Sequence, residues 1–206
     1  MLNLHNFHKS YSTGFSISVD HLNLDSGIHL IKGANGSGKS TLLKAIAGIH
    51  DFEGDIDLFG ISIKKEPVTF RKMVNFSEAE PVFPEFLSLD ELIRFTSQII
   101  QPDHHQVQEL KEKLGIAEYS KNPISTYSSG MLKKSALLLA FLGSPKLIIL
   151  DEPFTTIDLA TQGRLKVLIQ SKLNQGTSFI LTSHLADFED LFEYNTTLEI
   201  KNGVLL

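Results

Sequence analysis

Gly33-Ala34-Asn35-Gly36-Ser37-Gly38-Lys39-Ser40-Thr41 is the stretch on which the reading of the fold turns. A strand expected over Ile28 to Lys32 leads into it. A helical pattern leaves it and runs to about Ala47, where Gly48 can stop the helix. Glycines at 33, 36 and 38 let the backbone curl until successive N–H groups face one point, which makes a nest for an anion. The amino end of the helix behind it adds a partial positive charge. Lys39 adds a full charge suited to β/γ phosphates, and Ser40 offers a hydroxyl to Mg²⁺. The spacing is the G-x-x-x-x-G-K-[ST] pattern, Walker A, in the strand-then-helix context the pattern requires.

Working outward, residues 2–7 and 15–19 alternate apolar and polar and read as strands joined by a turn around Ser12-Thr13-Gly14. Residues 55–59 alternate again. The middle changes character. Ser88-Leu89-Asp90-Glu91 is a capping box that opens a helix to about Ile100. A second helix is expected over 106–114 and a third from Ser128 or Ser129 to Leu142. Residues 85–143 therefore read as a helical insert in an α/β body formed by 1–84 and 144–206. Leu147-Ile148-Ile149-Leu150 is wholly apolar, as a strand covered on both faces must be. Asp158 can cap a helix to about Asn174, and a strand at 178–182 follows. A short helix is expected over 184–191, and a hairpin around Asn202-Gly203 closes the chain.

A carboxylate pair, Asp151-Glu152, follows the 147–150 strand directly. Ligands of open α/β sheets sit beyond the carboxyl ends of strands. If this strand neighbours the one feeding Gly33, both carboxylates face the phosphates. Asp151 then holds Mg²⁺ directly or through water, and Glu152 orients and deprotonates an attacking water.

Composition removes several classes. The chain has 206 residues, a net charge of −5 and 42% hydrophobic content, which suits one globular domain with a sizeable core. An acidic balance argues against a nucleic-acid partner, which needs a positive field. With no cysteine there is no disulfide, thiol catalysis or Cys-type metal site. The amino terminus lacks an apolar signal segment, and no apolar run approaches the roughly 20 residues of a spanning helix. His104-His105 reads as a solvated helix start, and Lys133-Lys134 as a solvated helix face.

Walker A at 33–41, Tyr127-Ser128-Ser129-Gly130-Met131, Leu150-Asp151-Glu152-Pro153, Thr155 to Asp158 and His184 stand in the order and spacing of the ATP-binding cassette (ABC) ATPases. The chain resembles the ATP-binding subunit of an ABC transporter along essentially its whole length. The resemblance implies an α/β P-loop NTPase core, an N-terminal antiparallel β-subdomain and an inserted α-helical subdomain, with ATP and Mg²⁺ as ligands. It implies that Tyr11 stacks on adenine, although the same tyrosine also reads as a loop residue packed on the body. It implies that Ser128, Ser129 and Gly130 contact the ATP held by a second cassette, identical or different. The Ser hydroxyl and free amides at a helix start suit that role physically. Asp158 then joins the two subunits, and His184 hydrogen-bonds the γ-phosphate.

Two segments depart from the family pattern. Ser129 and Met131 stand where glycine and glutamine are usual. An ungapped match on Glu80-Pro81 puts Ala79 where the Mg²⁺-sensing glutamine is usual, leaving Glu78, Ala79 or Glu80 for that position. Phe83 and Phe86 fall where the family meets its membrane permease, and they read equally as core residues. The implied protein is a peripheral ATPase at the cytoplasmic face, powering transport through a separate integral membrane subunit. Three rivals remain. A nucleotide kinase lacks the 127–131 segment, a repair or translation ABC protein is usually longer, and a non-catalytic sensor would show no turnover.

Overall fold

A computed structural model describes residues 1–183 and 191–206. Among these residues, ten strands form one curled sheet in the order β5-β4-β1-β2-β10-β9-β3-β8-β7-β6. One wing is mainly antiparallel: β1 (Leu2–Ser10), β2 (Ser16–Leu24), β4 (Glu53–Leu58) and β5 (Ile61–Ser62). The other is parallel: β3 (Ile28–Lys32), β6 (Val74–Ser77), β7 (Leu147–Leu150), β8 (Ser178–Ser183) and β9 (Thr196–Lys201). The short β10 (Val204–Leu205) links the wings, antiparallel to β9 and parallel to β2.

Alternation along the parallel strands builds two cores. Ile148, Leu150, Phe179, Leu181, Ile28 and Leu30 face one side, where they meet α3 (Leu89–Ile100), α4 (His104–Leu114), α5 (Ser129–Phe141) and α6 (Leu159–Asn174). Leu147, Ile149, Ile180 and Ile31 face the other, where α1 (Lys39–Ile46) lies against Leu2, Leu4, Ile17 and Ile56 of the antiparallel wing. Each fully buried Leu or Ile contributes about 1.5–3 kcal/mol, and all four residues of β7 are spent on the two cores. That is the physical origin of the unbroken 147–150 run.

The capping box forms as read: Ser88 Oγ accepts from Glu91 N, and Glu91 Oε2 accepts from Ser88 N at 2.8 Å. Asp103 caps α4, which starts two residues earlier than expected, at His104. A helix, α2 (Pro67–Lys72), and the edge strand β6 fill a stretch in which the sequence reading had no element. Pro67 at the first helical position was the available signal for α2. The four residues of β6 are too few to show a period.

Strand order decides the condition set on Asp151-Glu152. The 147–150 strand does not neighbour the strand that feeds Gly33, because β8 lies between them. All three are parallel, so their carboxyl ends still share one edge of the sheet.

Candidate functional site

At that edge the loop after β3 and the start of α1 border a cleft of about 590 Å³, lined on its far side by Glu78, Ala79, Glu80, Asp151 and Glu152. Gly36 and Gly38 adopt the left-handed backbone, φ 77° and 114°, that curls the loop. A Cβ on Gly33 would lie 2.5 Å from Ile200 O and 2.6 Å from Ser37 Oγ, so only glycine fits there. Ala34, Asn35 and Gly36 are exposed, whereas Ser37, Gly38 and Lys39 are buried. Among the described residues Ser37 Oγ, which is buried, has no hydrogen-bond partner.

Lys39 Nζ donates to Gly33 O at 2.7 Å and Ala34 O at 3.2 Å, and it lies 3.8 Å from Glu152 Oε1. Ser40 Oγ donates to Asp151 Oδ2 at 2.6 Å. The intervening strand supplies Thr182, whose Oγ1 donates to Asp151 Oδ1 at 2.6 Å and accepts from Glu152 N at 2.9 Å. β8 thus braces the carboxylates, which also meet Lys39 and Ser40 directly. Glu152 sits at φ 47°, a conformation that costs a non-glycine residue about 1–3 kcal/mol and recurs at functional sites.

Thr41 begins the second half of the same helical turn and also lines the cleft. Tyr11 is not among the lining residues. Its hydroxyl hydrogen-bonds His50 Nδ1 at 3.2 Å, and its ring lies 6.4 Å from that of Phe15, which does line the cleft. Phe15 is the aromatic that sequence reasoning passed over. It sits at the end of the turn whose first residue is Tyr11, and Tyr11 N donates to Phe15 O across that turn. Among the three alternatives in the 78–80 loop, Glu78 is paired with Lys44 at 3.2 Å, Ala79 presents only a methyl, and Glu80 is exposed at the rim.

Ser128 caps α5, its Oγ accepting from Met131 N at 3.3 Å. Ser128 and Ser129 are exposed and do not line the cleft of their own chain. A Cβ on Gly130 would lie 2.8 Å from Thr156 O, so this glycine lets α5 approach the loop before α6. Asp158 caps α6 through Thr161 N at 2.8 Å and pairs with Lys134 at 2.7 Å, and these bonds hold its carboxyl far below the usual range. His184 lies outside the described residues.

Lys133 corrects the reading of a solvated pair. It is fully buried, and its ammonium donates to Asp151 O at 2.7 Å, Glu78 O at 2.8 Å and Ala79 O at 3.1 Å. Burial draws its pKa down to about 8, against the opposing pull of Asp151, Glu152 and Glu80. Lys134, beside it, keeps a mostly covered stem and reaches Asp158.

A family model described as "ABC transporter" matches residues 21–155, more than half of the chain. The lantibiotic transport ATP-binding protein SrtF of Streptococcus pyogenes is 26% identical over 197 residues, which covers 94% of this chain and 85% of that one. A solved ATP-binding subunit of an ABC transporter superposes with a TM-score of 0.88 at 24% identity, covering 99% of this chain and 87% of its own. A dimeric ATP-binding cassette in a post-hydrolysis state, bound to ADP and Pi, superposes with a TM-score of 0.84 at 20% identity over 100% and 96%. The phosphate loop, the carboxylates brought to the same sheet edge and these likenesses agree: the chain belongs to the ABC transporter family, as one of its ATP-binding cassettes.

Proposed function

We propose that the chain binds MgATP in this cleft, hydrolyses it, and is the ATP-hydrolysing subunit of a transporter whose membrane-spanning part is a separate chain. The observation that carries the reading is the 2.6 Å contact between Ser40 and Asp151, with Lys39 and Glu152 3.8 Å apart beside it. Residues 33–41 cradle the phosphates, and Tyr11, or Phe15 in its place, covers the base. Ser40 and Asp151 are hard oxygen donors suited to Mg²⁺. Among the described residues no group of three or more acidic or histidine side chains could hold an ion alone, so the ion would take further ligands from phosphate and water. Bound there, Mg²⁺ supplies neutralisation of phosphate charge.

Glu152 orients a water, takes its proton as oxygen attacks the γ-phosphorus, and the bond to the ADP oxygen breaks. His184 is assigned to the γ-phosphate. Exposed Ser128 and Ser129 and half-buried Gly130, lying outside their own cleft, suit contact with ATP on a second cassette, and Asp158 stands beside that face. The helical insert is assigned to 85–143. Among the described residues no helix is long and apolar enough to cross a membrane, which fits a peripheral subunit at the cytoplasmic face. A cleft of about 1020 Å³ lined in part by α2, β6, α3 and α4, with exposed Phe95 and Ile99, suits an amphipathic segment of the membrane partner, and exposed Phe86 lies in the loop before α3.

The test is nucleotide titration and product analysis. Lys39→Ala should weaken ATP binding at least tenfold, and Glu152→Gln should slow release of phosphate while leaving affinity within about twofold. Unchanged affinity in the first variant, or transfer of phosphate to an acceptor other than water, would reject the proposal.

A further inference from the structure

A lysine is rarely fully buried, because an ion loses its hydration unless every charge and donor is compensated. Lys133 sits in a helix whose buried side is apolar apart from Ser135, and leucine or methionine would cost less there. All of its three donors are used, and each goes to a main-chain carbonyl. Two carbonyls belong to the 78–79 loop on one wall of the cleft. The third, Asp151 O, belongs to the peptide that carries Glu152 N.

That peptide is held from both ends. Lys133 takes its C=O, and Thr182 Oγ1 takes its N–H at 2.9 Å. The peptide sets the direction of Glu152, whose left-handed backbone requires such restraint. Lys133 lies one turn beyond Gly130, the residue through which α5 meets the Thr156 loop, and next to Lys134, which reaches Asp158. A displacement of the amino end of α5 therefore pulls on the Glu152 peptide, the 78–79 loop and the loop before α6 together.

We propose that Lys133 is a positioning residue for ATP hydrolysis: through the Asp151–Glu152 peptide it converts the position of helix α5 into the orientation of the Glu152 carboxylate. The inference rests on the assignment of Glu152 as the base. Because residue 79 has only a methyl, the loop joins this linkage through its main chain.

The experiment is single-turnover hydrolysis by the full chain in excess over MgATP, with nucleotide affinity measured separately. Lys133→Met, of similar length without donors, should slow turnover about tenfold or more while affinity changes less than about twofold, because the defect lies in orientation rather than binding. In a Glu152→Gln background the same substitution should slow the reaction no further. Equal turnover in Lys133→Met and parent overturns the inference, as does a fall in affinity matching the fall in rate. Additive losses in the double variant also overturn it. If Lys133→Met does not fold, Lys133→Gln, which retains two donors, is read by the same criteria. Full activity in Glu152→Gln alone would instead remove the base assignment, a result distinct from failure of the Lys133 linkage.

Discussion

Replacing Thr182 with valine preserves shape and removes one hydroxyl that makes two buried hydrogen bonds. Thr182 is 1% exposed, so water cannot replace what is lost. Its bond to Asp151 Oδ1 at 2.6 Å is to a carboxylate, a class that contributes about 1.5–3 kcal/mol, and its bond from Glu152 N at 2.9 Å contributes about 0.5–1.5 kcal/mol. Asp151 retains Ser40, so the carboxylate is not abandoned, but Glu152 N loses the acceptor that Thr182 supplies. The sum is a loss of about 2–4 kcal/mol. For a chain of this size each kcal/mol lowers Tm by about 2–4 °C, so the melting point should fall by roughly 5–15 °C. Thr182→Ser keeps the hydroxyl and should cost only about 1 kcal/mol, the value of one buried methyl. Thermal melts of the three proteins measure this directly. A valine variant melting within 1 °C of the parent, or a serine variant less stable than the valine one, would refute the claim that the hydroxyl carries the link between β8 and the carboxylates.

Two glycines should respond to alanine with opposite signs. Gly130→Ala places a Cβ 2.8 Å from a backbone oxygen and should destabilise by about 1–3 kcal/mol, whereas Gly163→Ala, with open space inside α6, should stabilise by about 0.5–1 kcal/mol in urea melts. His29 is fully buried, with burial lowering its pKa below 6.5 against the raising effect of Asp25. The unfolded chain therefore binds the proton first as pH falls, so stability present above 6.5 should be lost below it, by at most about 1.4 kcal/mol per pH unit from this group. His29→Leu should flatten the stability profile between pH 6.5 and 5, and identical slopes would show that His29 is not the group responsible.

What the sequence disclosed and what it hid differ by the range of the forces involved. The phosphate loop was legible because its requirements are local: glycines where the backbone must curl, a lysine and a serine at a helix start. The capping box at Ser88 and the two-faced strand at 147–150 were legible for the same reason. Tyr11 and Phe15 lie four residues apart around one turn, and only the turn's geometry decides which aromatic borders the cleft. The interposition of β8 between β3 and β7 depends on the pairing of β3 with β8, which sets Ile28 opposite Phe179, beyond any pattern in a window.

Lys133 marks the limit most sharply. Two adjacent lysines near a helix start read as a wet face, since charge ordinarily seeks water. In this helix the apolar residues extend nearly all the way around, so no polar stripe exists against which to place either lysine. Lys134 obeys the ordinary rule and reaches an exposed carboxylate, whereas Lys133 points inward because three carbonyls, from residues 18, 54 and 55 positions away, converge where its ammonium ends. A buried ion satisfied by main chain alone cannot be recognised from side-chain chemistry. Its partners are peptide groups that every residue carries, and only the fold selects which of them meet. The position that breaks the local rule is therefore the one that joins helix α5 to the peptide beside Glu152, as expected where specificity of arrangement outweighs the cost of burying charge.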